Sequence, residues 1–236
     1  MHCIDYMARD KFIQMHPPDF KKVCIDKNFL SKEDCVMLSN YIIKHSLLNK
    51  SLLNSINFES SYSFSIRFNK YSKSEFLKSE HNLKPIYDIF ERIKQPNTNA
   101  YIFNPLILEG LNIFDTKTND IGYHYDDTLD LCDDFGKTYL PVCTTILYIE
   151  APDIFIGGTL EMHDFGFFEC HCPSILKIRP EIGKRVVFRG DMRHCVRSMY
   201  SSECTKRISL VYEQYNIPED RLKESEFKIR SGSLST

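Results

Sequence analysis

The apolar positions change rhythm partway along the chain. Val36, Leu38, Tyr41, Ile42 and Leu48 form a broad stripe at helical spacing. Leu83, Ile86, Tyr87, Phe90 and Ile93 form a cleaner one, which Pro96 stops. Ser31 and Asp34 ahead of the first stripe resemble a capping box, with a hydroxyl accepting from a first-turn amide and an acid at the positive end of the helix. Both stripes are expected to pack on a core. Between them Ser60–Phe68 alternates polar with apolar, the period of a strand.

From Leu106 onward the helical period gives way to short apolar runs: Leu111–Phe114, Val142–Ile149, Thr159–Met162, Ile175–Ile178, Val186–Phe188, His194–Arg197 and Ile208–Tyr212. Gly, Pro, Asn and Asp punctuate them. Many short strands without intervening helices predict an antiparallel sandwich or barrel rather than a parallel α/β sheet. A short helix is expected from Pro218, and the charged, serine-rich stretch 221–236 reads as a loose tail. No linker divides the chain, so residues 1–236 are read as one domain.

Composition narrows the function classes. The 236 residues can bury roughly 70% of their unfolded surface, so folding needs no staple. Thirty basic against 32 acidic side chains leave a net charge of −2, without a basic block, which gives no footprint for nucleic acid. There is no apolar stretch long enough to span a membrane, and Asp5 interrupts the start too early for a secretory signal. Nine cysteines at scattered spacing, without such a signal, suit a reduced cytoplasmic chain. Cys170-His171-Cys172 lacks a second pair at zinc-site spacing and reads as ordinary sequence.

The candidate chemistry begins at His124-Tyr125-Asp126. In an extended segment residues two apart share a face, so an imidazole and a carboxylate aim at one point. His194, after the turn signal Arg189-Gly190-Asp191, is the best candidate for a third ligand. Two imidazoles and one carboxylate on one face of a metal leave the other face open, the arrangement of non-haem Fe(II) oxygenases. Arg207 and Ser209 share a face on a later strand. The guanidinium suits a carboxylate, and Ile208 and Leu210 between them point the other way.

These pieces, taken in order, resemble the Fe(II)/2-oxoglutarate-dependent dioxygenase superfamily, most closely its prolyl 4-hydroxylase-like branch. Gly122-Tyr123-His124-Tyr125-Asp126 resembles its first two metal ligands. Thr144–Ile149 followed by Gly157-Gly158-Thr159-Leu160 resembles its strand and turn, and Ile178–Phe188 its Lys-Pro…Gly…Phe stretch. His194-Cys195-Val196 and Lys206–Leu210 resemble the third ligand and the cosubstrate strand, and Asn28–Cys35 a helix start of the branch.

The resemblance implies a mainly β, α+β fold: a double-stranded β-helix (jelly roll, cupin-like) core at 101–216, supported by N-terminal helices and lead-in strands at 20–100, with a C-terminal helix and tail at 217–236. It implies that His124, Asp126 and His194 bind Fe(II), that Arg207 pairs with the far carboxylate of 2-oxoglutarate, and that Tyr148 and Ser209 assist it. The implied activity is an oxidoreductase, an O2-consuming dioxygenase that hydroxylates an unactivated C–H and releases succinate and CO2, with ascorbate as an optional addition. The implied partner is a prolyl residue of a peptide or protein, or a small amino-acid-like substrate, with no nucleic acid and no membrane. A metal-binding jelly roll without turnover is the alternative. Phe114, standing where relatives carry a tyrosine for the cosubstrate, cannot donate, so that contact is absent or comes from another group. Arg67, Arg179, Arg193 and Arg197 could each meet a substrate carboxylate, although solvated charge is the simpler reading for all four.

Overall fold

A computed structural model describes residues 12–13, 21–50, 61–114, 118–164, 174–201 and 205–231. Its centre is a pair of facing antiparallel sheets. Eight core strands follow in chain order: β3 (Ala100–Glu109), β4 (Ile121–His124), β5 (Cys143–Glu150), β6 (Leu160–Asp164), β7 (Ser174–Ile178), β8 (Arg185–Arg189), β9 (His194–Val196) and β10 (Lys206–Tyr215). The larger sheet orders four of them β3-β10-β5-β8 and the smaller β7-β6-β9-β4. This interleaving, with the first, eighth, third and sixth strands facing the second, seventh, fourth and fifth, is the topology of a double-stranded β-helix. The larger sheet is extended on one side by β1 (Val23–Asp26) and on the other by β2 (Ser61–Asn69) and β11 (Lys228–Ser231).

Both faces of the larger sheet are largely buried along its four barrel strands, and the alternation of residues along each strand sorts them. Tyr101, Phe103, Ile107, Leu147, Ile149, Ile208, Leu210 and Tyr212 point outward to the helices. Leu106, Leu108, Ile146, Tyr148, Val186 and Phe188 point inward to the smaller sheet. The outer layer is α1 (Lys32–Ile43), α2 (Lys73–Lys78) and α3 (Lys84–Ile93). Ser31 caps α1, its hydroxyl accepting from the Asp34 amide at 3.0 Å. In α3 every fourth or third residue is apolar, and Ile86, Tyr87, Ile89, Phe90 and Ile93 are all buried. Phe90 joins helix to sheet, its ring 4.9 Å from Phe68 and 4.6 Å from Tyr101. Truncating such a ring to alanine costs about 3–5 kcal/mol.

Four expectations are corrected. Leu111–Phe114 is not a strand. Leu111 forms a single bridge to Tyr200, and Ile113 and Phe114 turn out into solvent. α1 ends at Ile43, so Leu48 lies beyond it, and Val36 is exposed while Cys35 and Ser39 take the inner face. The C-terminal stretch is not all loose tail. After a 3-10 helix at Glu219–Ser225, β11 pairs with β2, so Ile229 packs on the helical core. The longest missed strand is β3, which contains Pro105. Proline has no amide to donate, and the β2–β3 ladder breaks there between the Ser63–Leu106 and Ile66–Phe103 pairs; Ser63 bonds the Asn104 side chain instead. Cys170, His171 and Cys172 lie outside the described residues.

Candidate metal centre

β4 and β9 are neighbours in the smaller sheet, and their register places His124 directly opposite His194. The imidazole centroids are 4.4 Å apart. Asp126 follows two residues after His124, where the chain leaves β4, and its Oδ1 lies 3.6 Å from Nε2 of each histidine. The potential ligand atoms of the three residues all lie within 4.8 Å of one another, so one ion can sit within reach of all three.

The surroundings orient these groups as ligands. His124 Nδ1 lies 2.7 Å from the Gly122 carbonyl and His194 Nδ1 lies 3.0 Å from the Met192 carbonyl. Each carbonyl accepts a proton held on Nδ1, which leaves the Nε2 lone pair facing the centre. Thr144, on the inward face of β5, donates to Oδ2 of Asp126 at 2.5 Å and so leaves Oδ1 for the imidazoles. Phe188 closes one side of His194 edge-on at 4.8 Å. Burial holds His194 below the usual histidine pKa. Burial opposes ionisation of Asp126, yet the two imidazoles beside it and the Thr144 hydroxyl outweigh burial and hold its carboxyl down at about 2. A paired, ionised carboxylate beside two imidazole lone pairs is the donor set that a divalent cation needs. The three residues therefore fit the ion implied by the resemblance.

Deeper in the barrel stands Arg207. It is 1% exposed. Its Nη1 donates to the Gly158 carbonyl at 3.0 Å, and its Nε has no partner. The Tyr148 ring lies 5.9 Å from its guanidinium. Ser209, two residues on, is also buried and shares the inward face. A buried cation left with one carbonyl and an orphaned N–H is costly. Its environment fits a carboxylate supplied from outside the chain.

The sequence pattern brings together His124, Asp126 and His194 at one point, and Arg207, Tyr148 and Ser209 at another inside the same barrel. Phe114 is 86% exposed and belongs to neither group. Arg197 is bound on the outer side of the smaller sheet, donating to Glu161 at 2.8 Å. Arg179 lies over the Phe155 ring. The sequence reading gives Thr144 and Gly158 only as parts of motifs, without a role, and omits Glu213. Glu213 is fully inside, accepting from Thr128 at 2.6 Å and from Tyr215, and burial with the nearby Asp126 charge pushes its carboxyl up to about 8. The available signal was parity: Thr144 shares a face with Tyr148, and Glu213 with Arg207 and Ser209.

No protein-family model matches the sequence, and no curated protein matches it. Solved structures match its fold. A prolyl-4-hydroxylase from Pseudomonas putida aligns with TM-score 0.53 at 13% identity, over 84% of this chain and 94% of its own. A prolyl hydroxylase in complex with a hypoxia inducible factor oxygen degradation domain peptide fragment, from Trichoplax adhaerens, aligns with TM-score 0.53 at 13% identity, over 88% and 89%. IDO from Bacillus thuringiensis aligns with TM-score 0.55 at 13% identity, over 88% of this chain and 100% of its own. At such identity the likeness establishes a shared fold, and function has to be argued from the side chains. Among the described residues no helix is long and apolar enough to cross a membrane.

Proposed function

We propose that this chain is an Fe(II)- and 2-oxoglutarate-dependent oxygenase that hydroxylates an unactivated C–H of a peptide or an amino-acid-like substrate. One observation carries the reading: a two-histidine, one-carboxylate cluster and an unpaired buried arginine face the same barrel interior. Either alone has ordinary explanations. Together they provide a place for a metal and a cation for the far end of a dicarboxylate. A metal-binding jelly roll without turnover has no use for a desolvated Arg207.

In this reading His124, Asp126 and His194 would hold the ion. When bound, the ferrous ion and its oxo-acid cosubstrate supply the oxidising chemistry, coupling O2 reduction to decarboxylation of the acid. The chain binds, orients and excludes. Arg207 receives the far carboxylate, and its planar fork fixes the direction of the acid as well as its charge. Tyr148 bounds the same pocket, and Ser209 offers a hydroxyl one step along β10. Thr144 and the carbonyls of Gly122 and Met192 fix the ligand atoms. Leu106, Leu108, Ile146 and Phe188 line the inner face with apolar surface, which keeps bulk water from the reacting centre. No side chain needs to act as a general base.

Peptide prolyl hydroxylation is the first substrate reading, supported by the peptide-bound prolyl hydroxylase among the structures sharing the fold. The test is conversion of 2-oxoglutarate to succinate by the Fe(II)-loaded chain with a panel of prolyl peptides and free amino acids. Turnover is expected in the native chain and absent in His194→Ala. Turnover retained by that variant refutes the assignment.

A further inference from the structure

The inner face of the larger sheet does not end at the barrel. It continues onto β2 and β11, past the edge of the smaller sheet. The register makes this explicit. Thr144 lies opposite Glu213, Glu213 opposite Ile102, Ile102 opposite Arg67, and Arg67 opposite Lys228. Directly opposed residues share a face, so one row runs from the threonine that holds Asp126 to a pair of cations. Phe64, Ile66 and Phe68 of β2 belong to the helix-packed core, which confirms that Ser63, Ser65 and Arg67 point to the other side.

Arg67 and Lys228 are like charges placed directly across a strand pair, with Arg230 on the diagonal. Such pairs destabilise a sheet. Arg67 is half-buried and its Nε is buried without a partner, while Lys228 and Arg230 are exposed. None of the three makes an ion pair among the described residues. Asp130, Glu224 and Glu226 act on Arg67 only at longer range, and Glu224 is already held by Arg221 at 2.7 Å. Asp130 stands in the loop that leaves Asp126, so the cations border the segment carrying a proposed metal ligand.

We infer that this face docks an acidic stretch of a polypeptide substrate, using Arg67, Lys228 and Arg230. The inference rests on the function proposed above and names its substrate class. Adjacent strands are roughly 4.8 Å apart, so Arg67 lies three strands, about 14 Å, from Thr144. Ile102 and Glu213 between them are buried, Ile102 in one cluster with Leu129, Leu131 and Leu222, so a bound peptide passes around that cluster and not along the row. Its acidic block therefore stands at least about four residues from the residue presented to the metal. Nucleic acid fits this face less well. Ser63, Ser65, Arg67, Asn69, Lys228 and Arg230 offer no aromatic platform for bases, and the chain is net negative.

The test uses the full chain and two fluorescent peptides of about a dozen residues, identical except that a block of glutamates in one is glutamine in the other. Anisotropy is expected to show the glutamate peptide bound about tenfold tighter at low salt, with the preference fading as salt screens it. It should weaken in Arg67→Gln and vanish when Lys228→Gln and Arg230→Gln are added. Equal binding of the two peptides, undiminished preference in the triple variant, or tighter binding of a single-stranded oligonucleotide overturns the inference. 2-Oxoglutarate binding, read in parallel, should be unchanged in the triple variant. Its absence from the native chain would count against the proposed function while leaving the peptide result to stand by itself.

Discussion

The hydroxyl of Thr144 donates to Oδ2 of Asp126 at 2.5 Å, and Oδ1 of the same carboxylate stands 3.6 Å from Nε2 of both His124 and His194. One hydroxyl on β5 thus decides which oxygen faces the imidazoles. Thr144→Val keeps the shape and removes the donor. Metal affinity, titrated anaerobically with Fe(II) or with Co(II) as a spectroscopic substitute, is expected to fall by about 10–100-fold. Unchanged affinity would show that the hydroxyl orients nothing.

Arg207 should reveal itself by an inverse relation between stability and ligand binding. Its guanidinium is buried with one carbonyl partner. Replacing it with methionine removes a desolvated charge while filling much of the same volume. Chemical denaturation of the ligand-free chain is expected to show Arg207→Met more stable by about 1–4 kcal/mol. Added 2-oxoglutarate should raise the melting temperature of the native chain and leave the variant where it is. A less stable variant that still responds to the acid would remove Arg207 from the cosubstrate site.

Glu213 makes the folded chain sensitive to pH. Burial first, and the Asp126 charge second, raise its carboxyl from 4.5 to about 8. In that window the native state holds a proton that the unfolded chain has released. The contribution is therefore fully present below about 4.5 and is lost as pH rises towards 8, with a limiting slope of about 1.4 kcal/mol per pH unit. Glu213→Gln imitates the protonated form. Urea denaturation should show the variant matching the native chain near pH 5 and exceeding it near pH 8. Parallel pH profiles would mean that Glu213 is ionised in the fold.

Gly157 occupies a left-handed turn at φ +76, and a Cβ there would meet the Ser198 carbonyl at 2.0 Å. This turn presents the neighbouring Gly158 carbonyl to Arg207. Gly157→Ala combines a strained backbone with a collision against main chain. A loss of roughly 3 kcal/mol is expected, together with weakened 2-oxoglutarate binding. A variant of native stability would show that the turn relaxes freely.

Most of the barrel was legible in the chain because its strands are short apolar runs that end at turn residues. Arg207 was legible for a particular reason: Ile208 and Leu210 mark the helix-packed face, which leaves the arginine pointing into the barrel. β3 was not, since Pro105 reads as a breaker, yet its missing amide falls where the β2 ladder is already interrupted. β11 was hidden because Lys228 and Arg230 look solvated in sequence, and only pairing with β2 gives that stretch a structure. The convergence of His124 and His194 could be guessed from motif order, but it depends on β4 and β9 being neighbours. No local pattern encodes that neighbour relation. The second layer around the ligands, Thr144 and the carbonyls of Gly122 and Met192, is a matter of three-dimensional position alone.

The most direct measurement is an anaerobic titration of the chain with Fe(II) and then 2-oxoglutarate, followed by visible absorption. Chelation of the oxo acid to a ferrous ion gives a charge-transfer band. The account predicts that band in the native chain, its loss in His124→Ala, Asp126→Ala and His194→Ala, and a need for much more acid in Arg207→Met. No band in the native chain, or an undiminished band in His194→Ala, would contradict it.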